Sequence, residues 1–196
     1  MAENKRKPAL RFKGFTDAWE LRKLGELVII KSGESPSKFA TGDCLYVKVD
    51  DLNHSTREQF STQISVANNL NASKVKKGST IFPKRGAAIM TNKVRIMGAD
   101  GYMDTNMMAL EPNVIDGDFL YVFINHTGLY KIADTSTIPQ INNKHIEPYV
   151  ILLPEATEQR TIGIFFSKLD HLITLHQREL EKLQNLKKAC LEKMFV

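Results

Sequence analysis

Apolar and polar positions divide this chain into two unlike parts at Pro154. Before that proline, apolar residues come in short clusters separated by Gly, Pro, Asn and Asp. After it they recur at intervals of three and four to the end of the sequence. In the first part, Leu21, Leu24 and Leu27 stand three apart, which predicts a short helix or turn over residues 20–27. Val28, Ile29 and Ile30 form a β-branched run, and Ser32, Gly33, Ser35 and Pro36 behind it predict a loop. Residues 45–49 alternate like a strand, with a turn at 50–53. A turn at 75–79 leads into a strand at 80–82, which Pro83 and Gly86 close. Residues 107–110 are a strand candidate ended by Pro112. Residues 118–125 fit a helix or a buried strand, and Asp116 stands where an N-cap would. Residues 138–141 predict an extended loop, and 150–153 a strand closed by Pro154. No internal repeat is visible.

The second part holds no proline and one early glycine, Gly163. Ile162, Phe166, Leu169, Ile173, His176, Leu180, Leu183, Lys187, Cys190 and Met194 alternate by four and three, the spacing of a coiled-coil seam. Phe165, Leu172, Leu175, Leu186 and Leu191 widen the stripe. About 40 helical residues would run roughly 60 Å, whereas a domain of about 140 residues has a radius of gyration near 14 Å. Such a helix outreaches its own domain, so its stripe predicts packing on another helix. Folding back as a local hairpin would need a break, and the one candidate, at His176 and Gln177, holds neither Gly nor Pro.

Composition narrows the class. The chain has 196 residues, 42% hydrophobic and 25% charged, an ordinary globular balance. Cys44 and Cys190 are far apart and form no zinc-ligand spacing. They give no sign of an oxidising compartment, so a cytoplasmic location is expected. No run approaches the ~20 apolar residues of a membrane helix, and the basic N-terminus has no apolar stretch behind it. No membrane role is therefore expected.

The net charge is +5, and its distribution says more than its size. No acidic residue stands between Glu58 and Asp100, while Lys74, Lys76, Lys77, Lys84, Arg85, Lys93 and Arg95 all do. Like charges without a counter-charge in their own segment favour a polyanion; a solvated basic face is the alternative.

Catalytic patterns are missing. There is no G-x-G turn for a methyltransferase cofactor, no Asn-Pro-Pro, and no phosphate-binding G-x-x-x-x-G-K-[ST]. Asp50 with Asp51, and Asp100 with Asp104, have turn context and make poor nuclease carboxylates. The five histidines show no ligand spacing, His171 and His176 lying off one helical face. No enzyme, cofactor or metal is expected.

Several segments resemble the specificity subunit of Type I restriction-modification systems. The opening LRFKGFTDAWE at residues 10–20, followed by Arg22, Lys23, Leu24, Gly25 and Glu26, is similar to that family's start of a target-recognition domain. Residues 76–82, with Arg85, Gly86 and Ala87, resemble its G-D-I-L-x-x-R-x-G-A segment, although Ala88 to Thr91 lack a further glycine often found there. Residues 137–142, then Leu153, Pro154, Glu158 and Gln159, resemble its P-x-x-x-E-Q exit into a conserved helix.

The resemblance implies an α/β (α+β) recognition domain followed by a helix that forms an antiparallel coiled coil with a partner. The expected boundaries are a loosely attached lead at 1–15, the recognition domain at 16–155 and the helix at 156–196. Family members carry two recognition domains, each reading half of a split DNA target. Their helices hold modification subunits that methylate adenine, and motor-endonuclease subunits join that core. With one recognition domain and one helix, this sequence reads as a half-subunit or a truncated first half. A homodimer through the helix is expected. Its contacts would be Ile162, Phe166, Leu169, Ile173, His176, Leu180, Leu183, Cys190 and Met194. A dimeric DNA-binding regulator and the recognition fragment of a larger nuclease or methyltransferase remain alternatives.

Double-stranded DNA would be read by loops at strand ends. The candidates are Lys31, Ser32 and Lys38 in the first loop, Lys84, Arg85, Asn92, Lys93 and Arg95 in the second, and Gln140, Asn142 and Asn143 in the third. Arg suits guanine and Asn or Gln suits adenine through paired hydrogen bonds. Asn142 and Asn143 equally suit a turn.

Overall fold

The computed structural model describes residues 7–134 and 137–195. In chain order the strands are β1 (Glu20–Lys23), β2 (Val28–Ser32), β3 (Thr41–Val47), β4 (Glu58–Gln59), β5 (Ser65–Val66), β6 (Thr80–Pro83), β7 (Arg95–Met97), β8 (Gly101–Met103), β9 (Met107–Pro112) and β10 (Val150–Leu153). The helices are α1 (Gly117–Thr127), α2 (Leu129–Ile132) and α3 (Asn143–Ile146), ahead of the long α4 (Ala156–Met194).

A five-stranded sheet in the order β2-β9-β6-β7-β4 forms the centre. Strand alternation gives it two apolar faces. Phe82, Met108 and Leu110 join one cluster with Leu24, Leu27, Phe119, Leu120 and Ile124. Ile81, Met107 and Ala109 point the other way, against Val47, Leu52, Val75 and Met103. The unbroken apolar run of β9 thus follows from burial on both sides. A three-stranded sheet, β5-β3-β8, covers the second face and pairs β3 with β8 in parallel.

Residues 20–27 form a strand and then a single 3-10 turn rather than a helix. The cause is distant in sequence: β1 pairs antiparallel with β10, Glu20 opposite Leu153 and Lys23 opposite Val150. Ladder hydrogen bonds from the far end of the domain outweigh a weak local period. The two-way reading of residues 118–125 resolves as helix α1, with the Asp116 carboxylate accepting from the Phe119 N–H at 2.9 Å.

The expected loose lead is attached over its described second half. Arg11 donates to Glu158 of α4, Trp19 does the same at 3.1 Å, and Phe12 meets Phe165 edge-on at 5.4 Å. Residues 1–6 lie outside the described residues.

Helix α4 is continuous over 39 residues. Its first turns rest on α1, where Gly163 lies so close that an added Cβ would stand 2.7 Å from the Asp118 Cβ. Glu158, Gln159 and Gly163 are its buried residues. No helix among the described residues is long and apolar enough to cross a membrane.

Candidate functional site

One end of the central sheet gathers three connecting segments. Ser32 ends β2 opposite Met108, and Pro83 ends β6 opposite Met107. The chain leaves this end at Gly33 and at Lys84, and the turn at residues 104–106 enters β9 here. Gly33 is obligatory, because a Cβ there would fall 1.8 Å from the Asp104 carbonyl oxygen. The backbone N–H of Lys84 donates to the Asn106 carbonyl at 2.8 Å, and its Nζ donates to Ser32 Oγ at 3.3 Å. Burial pulls the Lys84 ammonium below its ordinary pKa, against the opposing field of Asp104.

The third loop joins here through backbone pairing. Ile141 N–H donates to the Lys84 carbonyl at 2.8 Å, Gly86 N–H donates to Pro139 at 2.8 Å, and Arg85 sits opposite Gln140 in an antiparallel bridge. Gly86 takes a φ of +73°, the left-handed region that glycine tolerates. Residues directly opposite in an antiparallel pair carry side chains on the same face. Arg85 is exposed and Gln140 half-buried, so an arginine and an amide share a face although 55 positions apart. Gln140 donates from Nε2 to Asn142 Oδ1 at 3.2 Å. Asn142 also caps α3, its own N–H donating to His145 Nδ1 at 3.0 Å, and Asn143 is exposed in the first turn. Asn142 therefore shapes the start of α3.

The other candidates are engaged elsewhere. Asn92 has a φ of 48° and spends its amide on structure, donating to the Asn125 carbonyl at 2.8 Å and accepting from the Leu129 N–H at 2.9 Å. Arg95 uses all three guanidinium nitrogens internally, on Ser55 Oγ, the Val94 carbonyl and the Leu52 carbonyl, at 2.7 to 2.9 Å. Its burial lowers its pKa. Lys93 donates to Asn53 Oδ1, which carries it towards the same segment as Arg95. In the first loop, Lys38 pairs with Glu34 at 2.7 Å and Lys31 lies 3.9 Å from Glu111. The Lys38 hydrogen bond, with the Ser73 N–H second, holds the Glu34 carboxyl below its usual pKa. Ser32, Lys84, Arg85, Gln140 and Asn142 come together; Asn92, Lys93 and Arg95 do not join them.

The acid-free segment is also less isolated than its sequence implies. Lys76 makes a 2.6 Å ion pair with Glu111 of β9, and Lys74 donates to Asn68 at 3.0 Å. The counter-charge comes from a neighbouring strand, which the linear pattern cannot show. Lys77 and Arg85 make no ion pair among the described residues and face solvent.

A second candidate surface is α4 itself. Phe166, Leu169, Leu172, Ile173, Leu180 and Leu183 are all exposed, up to 63% for Leu183. Of the expected seam, Ile162 alone is partly buried against the core of its own domain. The domain instead faces the polar side of the helix, along Ser167, Asp170, Thr174 and Arg178. Most of the apolar stripe from Phe166 onward points away from the domain, while Phe165 meets Phe12 and Leu175 lines the cleft beside the domain.

Glu158, Arg11, Trp19 and Arg57 are structurally important residues to which sequence reasoning assigned no role. The first three stand within the segments that carried the resemblance; for Arg57 no local signal exists.

The description "Type I restriction modification DNA specificity domain" matches residues 16–185. The chain belongs to this family. A curated relative, the Type I restriction enzyme MjaVIII specificity subunit of Methanocaldococcus jannaschii, is 29% identical over 103 residues, half of this chain and 24% of that subunit. Among solved structures, the HsdS subunit from Thermoanaerobacter tengcongensis superposes with a TM-score of 0.64 at 17% identity, over 96% of this chain and 47% of that one. The S subunit from M. genitalium gives 0.65 at 16%, over 96% and 48%. A chain from work on complex assembly and conformational transition of the type I R-M system gives 0.67 at 19%, over 92% and 47%. These likenesses show a shared fold, and the chain spans about half the length of each solved relative. The mixed α/β class and the long C-terminal helix expected of a specificity domain are both present.

Proposed function

We propose that this specificity domain reads one half of a bipartite DNA target without catalysing chemistry itself. The reading face is the joined loop pair at residues 84–86 and 139–142, with Ser32 beside it. The observation that carries this is the Arg85–Gln140 bridge. It aligns a guanine-type donor and an adenine-type amide on one face, where base edges are read. Lys77 supplies charge for phosphates. Lys31, Lys38, Asn143 and Lys93 take secondary places, and Asn92 and Arg95 serve the fold.

In this reading α4 docks a second helix antiparallel along Phe166, Leu169, Ile173, Leu180, Leu183, Cys190 and Met194, with His176 within the seam. A second copy supplies that helix and the other half-site, which yields a palindromic split target. Modification subunits bind this core and methylate adenine, and motor-endonuclease subunits complete the complex. The exposed stripe of α4 supports the docking.

The test is co-expression with a Type I modification subunit, followed by mapping of methylated adenines. A split, two-part methylated sequence is expected, with Arg85→Ala blurring one base position in each half. Methylation at continuous, unsplit sites, or none despite a formed complex, overturns the proposal.

A further inference from the structure

Helix α4 is held to its domain in two places of different character. The first is the packed base on α1, around Gly163. Beyond it an open cleft of about 660 Å³ separates residues 167–181 of the helix from residues 53–61 of the domain. Two side-chain links cross that cleft among the described residues. One is a hydroxyl pair, Thr56 Oγ1 to Thr174 Oγ1 at 3.3 Å. The other is ionic, Arg57 Nη1 to Asp170 Oδ2 at 3.7 Å. Past residue 181 the helix is exposed on every side.

Arg57 is a junction of the whole molecule. Its carbonyl accepts from the Ile96 N–H of β7 at 2.8 Å, which ties it to the central sheet. Its Nη2 donates to Asp118 of α1, and its guanidinium lies 4.8 Å above the Tyr121 ring of the same helix. The side chain is 10% exposed, yet Nε and Nη1 are buried without a hydrogen-bond partner. Leaving such donors unmet costs stability. The charge nevertheless has partners on two other elements, Asp118 and Tyr121 of α1 and Asp170 of α4.

We propose that Arg57 is a positioning residue: by joining sheet, α1 and Asp170 it sets the angle at which α4 leaves the reading domain. The lever arm makes that angle matter. From Asp170 to Met194 the helix runs about 36 Å. A tilt of about 5° at Asp170 moves the far end by about 3.1 Å, close to the ~3.4 Å rise of one base pair. Resting on the bipartite reading above, the brace then fixes the spacer accepted between half-sites.

The experiment uses the full chain carrying Cys44→Ser, Cys190→Ser, Leu70→Cys and Lys188→Cys, with nitroxide labels on the two new, exposed thiols. Pulsed electron-electron resonance then reads the distance from domain to helix. Excess unlabelled chain ensures that only distances within one chain are seen. A narrow distribution is expected for the parent. Arg57→Met and Asp170→Asn should each shift or widen it by about 3 Å or more, and Arg57→Lys should do so less. Should Arg57→Met fail to fold, Asp170→Asn decides alone, since Asp170 is half-exposed. An unchanged distribution in folded Asp170→Asn overturns the brace. A DNA series with spacers varied by single base pairs is run in parallel. The parent should accept one spacer length, and Asp170→Asn should accept its neighbours as well. Changed distances with no DNA binding by the parent would sink the bipartite reading and leave the brace standing. Parental binding with unchanged distances does the reverse.

Discussion

Arg11 grips Glu158 with both ends of its guanidinium, Nε to Oε1 at 2.6 Å and Nη2 to Oε2 at 2.7 Å, across 147 positions of sequence. The Glu158 side chain is wholly buried and also accepts from Trp19 Nε1. This contact clips the start of α4 to the N-terminal segment. Replacing Glu158 by Ala leaves three N–H donors without their acceptor and should destabilise the fold. Glu158→Gln keeps one acceptor and should cost less. Urea denaturation monitored by circular dichroism checks the order; equal losses for the two variants would contradict it.

Asn92 and Arg95 separate fold from reading. Asn92→Gly keeps the φ of 48° but removes two hydrogen bonds. A loss of about 1–3 kcal/mol in stability is expected, with the recognised DNA sequence unchanged. A changed target sequence in this variant would return Asn92 to the reading face.

Arg85 and Lys77 should behave differently from each other. Arg85→Ala should weaken target binding by about 1–3 kcal/mol and relax one base position. Lys77→Ala should weaken all DNA nearly alike and lower the salt dependence by about one unit. Fluorescence anisotropy on target and scrambled duplexes at several salt concentrations distinguishes them. Identical profiles for the two variants would mean that neither reads bases.

The outward stripe of α4 predicts self-association. Leu180 is 56% exposed and Ile173 54%, so placing Glu at either should leave the domain folded and abolish the dimer. Light scattering on a size-exclusion column reads the mass. A parent that is already monomeric at micromolar concentration removes the homodimer from the proposed function.

Asp170 gives a pH signature. Burial raises its pKa above the ordinary carboxylate value, and Arg57 opposes this only in part. The ionised carboxylate is therefore disfavoured in the folded chain relative to the unfolded one. That penalty is full above the raised pKa and fades as pH falls through it towards the unfolded value. Asp170→Asn should thus be at least as stable as the parent at pH 7, with the advantage shrinking on acidification. An advantage that grows as pH falls would contradict this sign.

The sequence alone determined the two-part plan. Regular intervals of three and four beyond Pro154 sufficed for α4, because a helical period is local and needs no partner to be read. The length of that helix also foretold the exposed stripe. Strands with strong β-branched or apolar runs, β2, β6, β9 and β10, were legible for the same reason. So was the Asp116 cap of α1. The two-residue strands β4 and β5 carry no such run, and β1 was misread as helix or turn because its partner, β10, lies at the other end of the domain. The reading candidates divided in the same way. Residue type named Arg85 and Gln140 but also Asn92 and Arg95, since side-chain chemistry is identical whether a group faces solvent or its own backbone. Only the tertiary structure could place Arg85 beside Gln140, turn Arg95 inward, and give Lys76 its partner in Glu111. Those are contacts between segments far apart in the chain, and no local pattern encodes them.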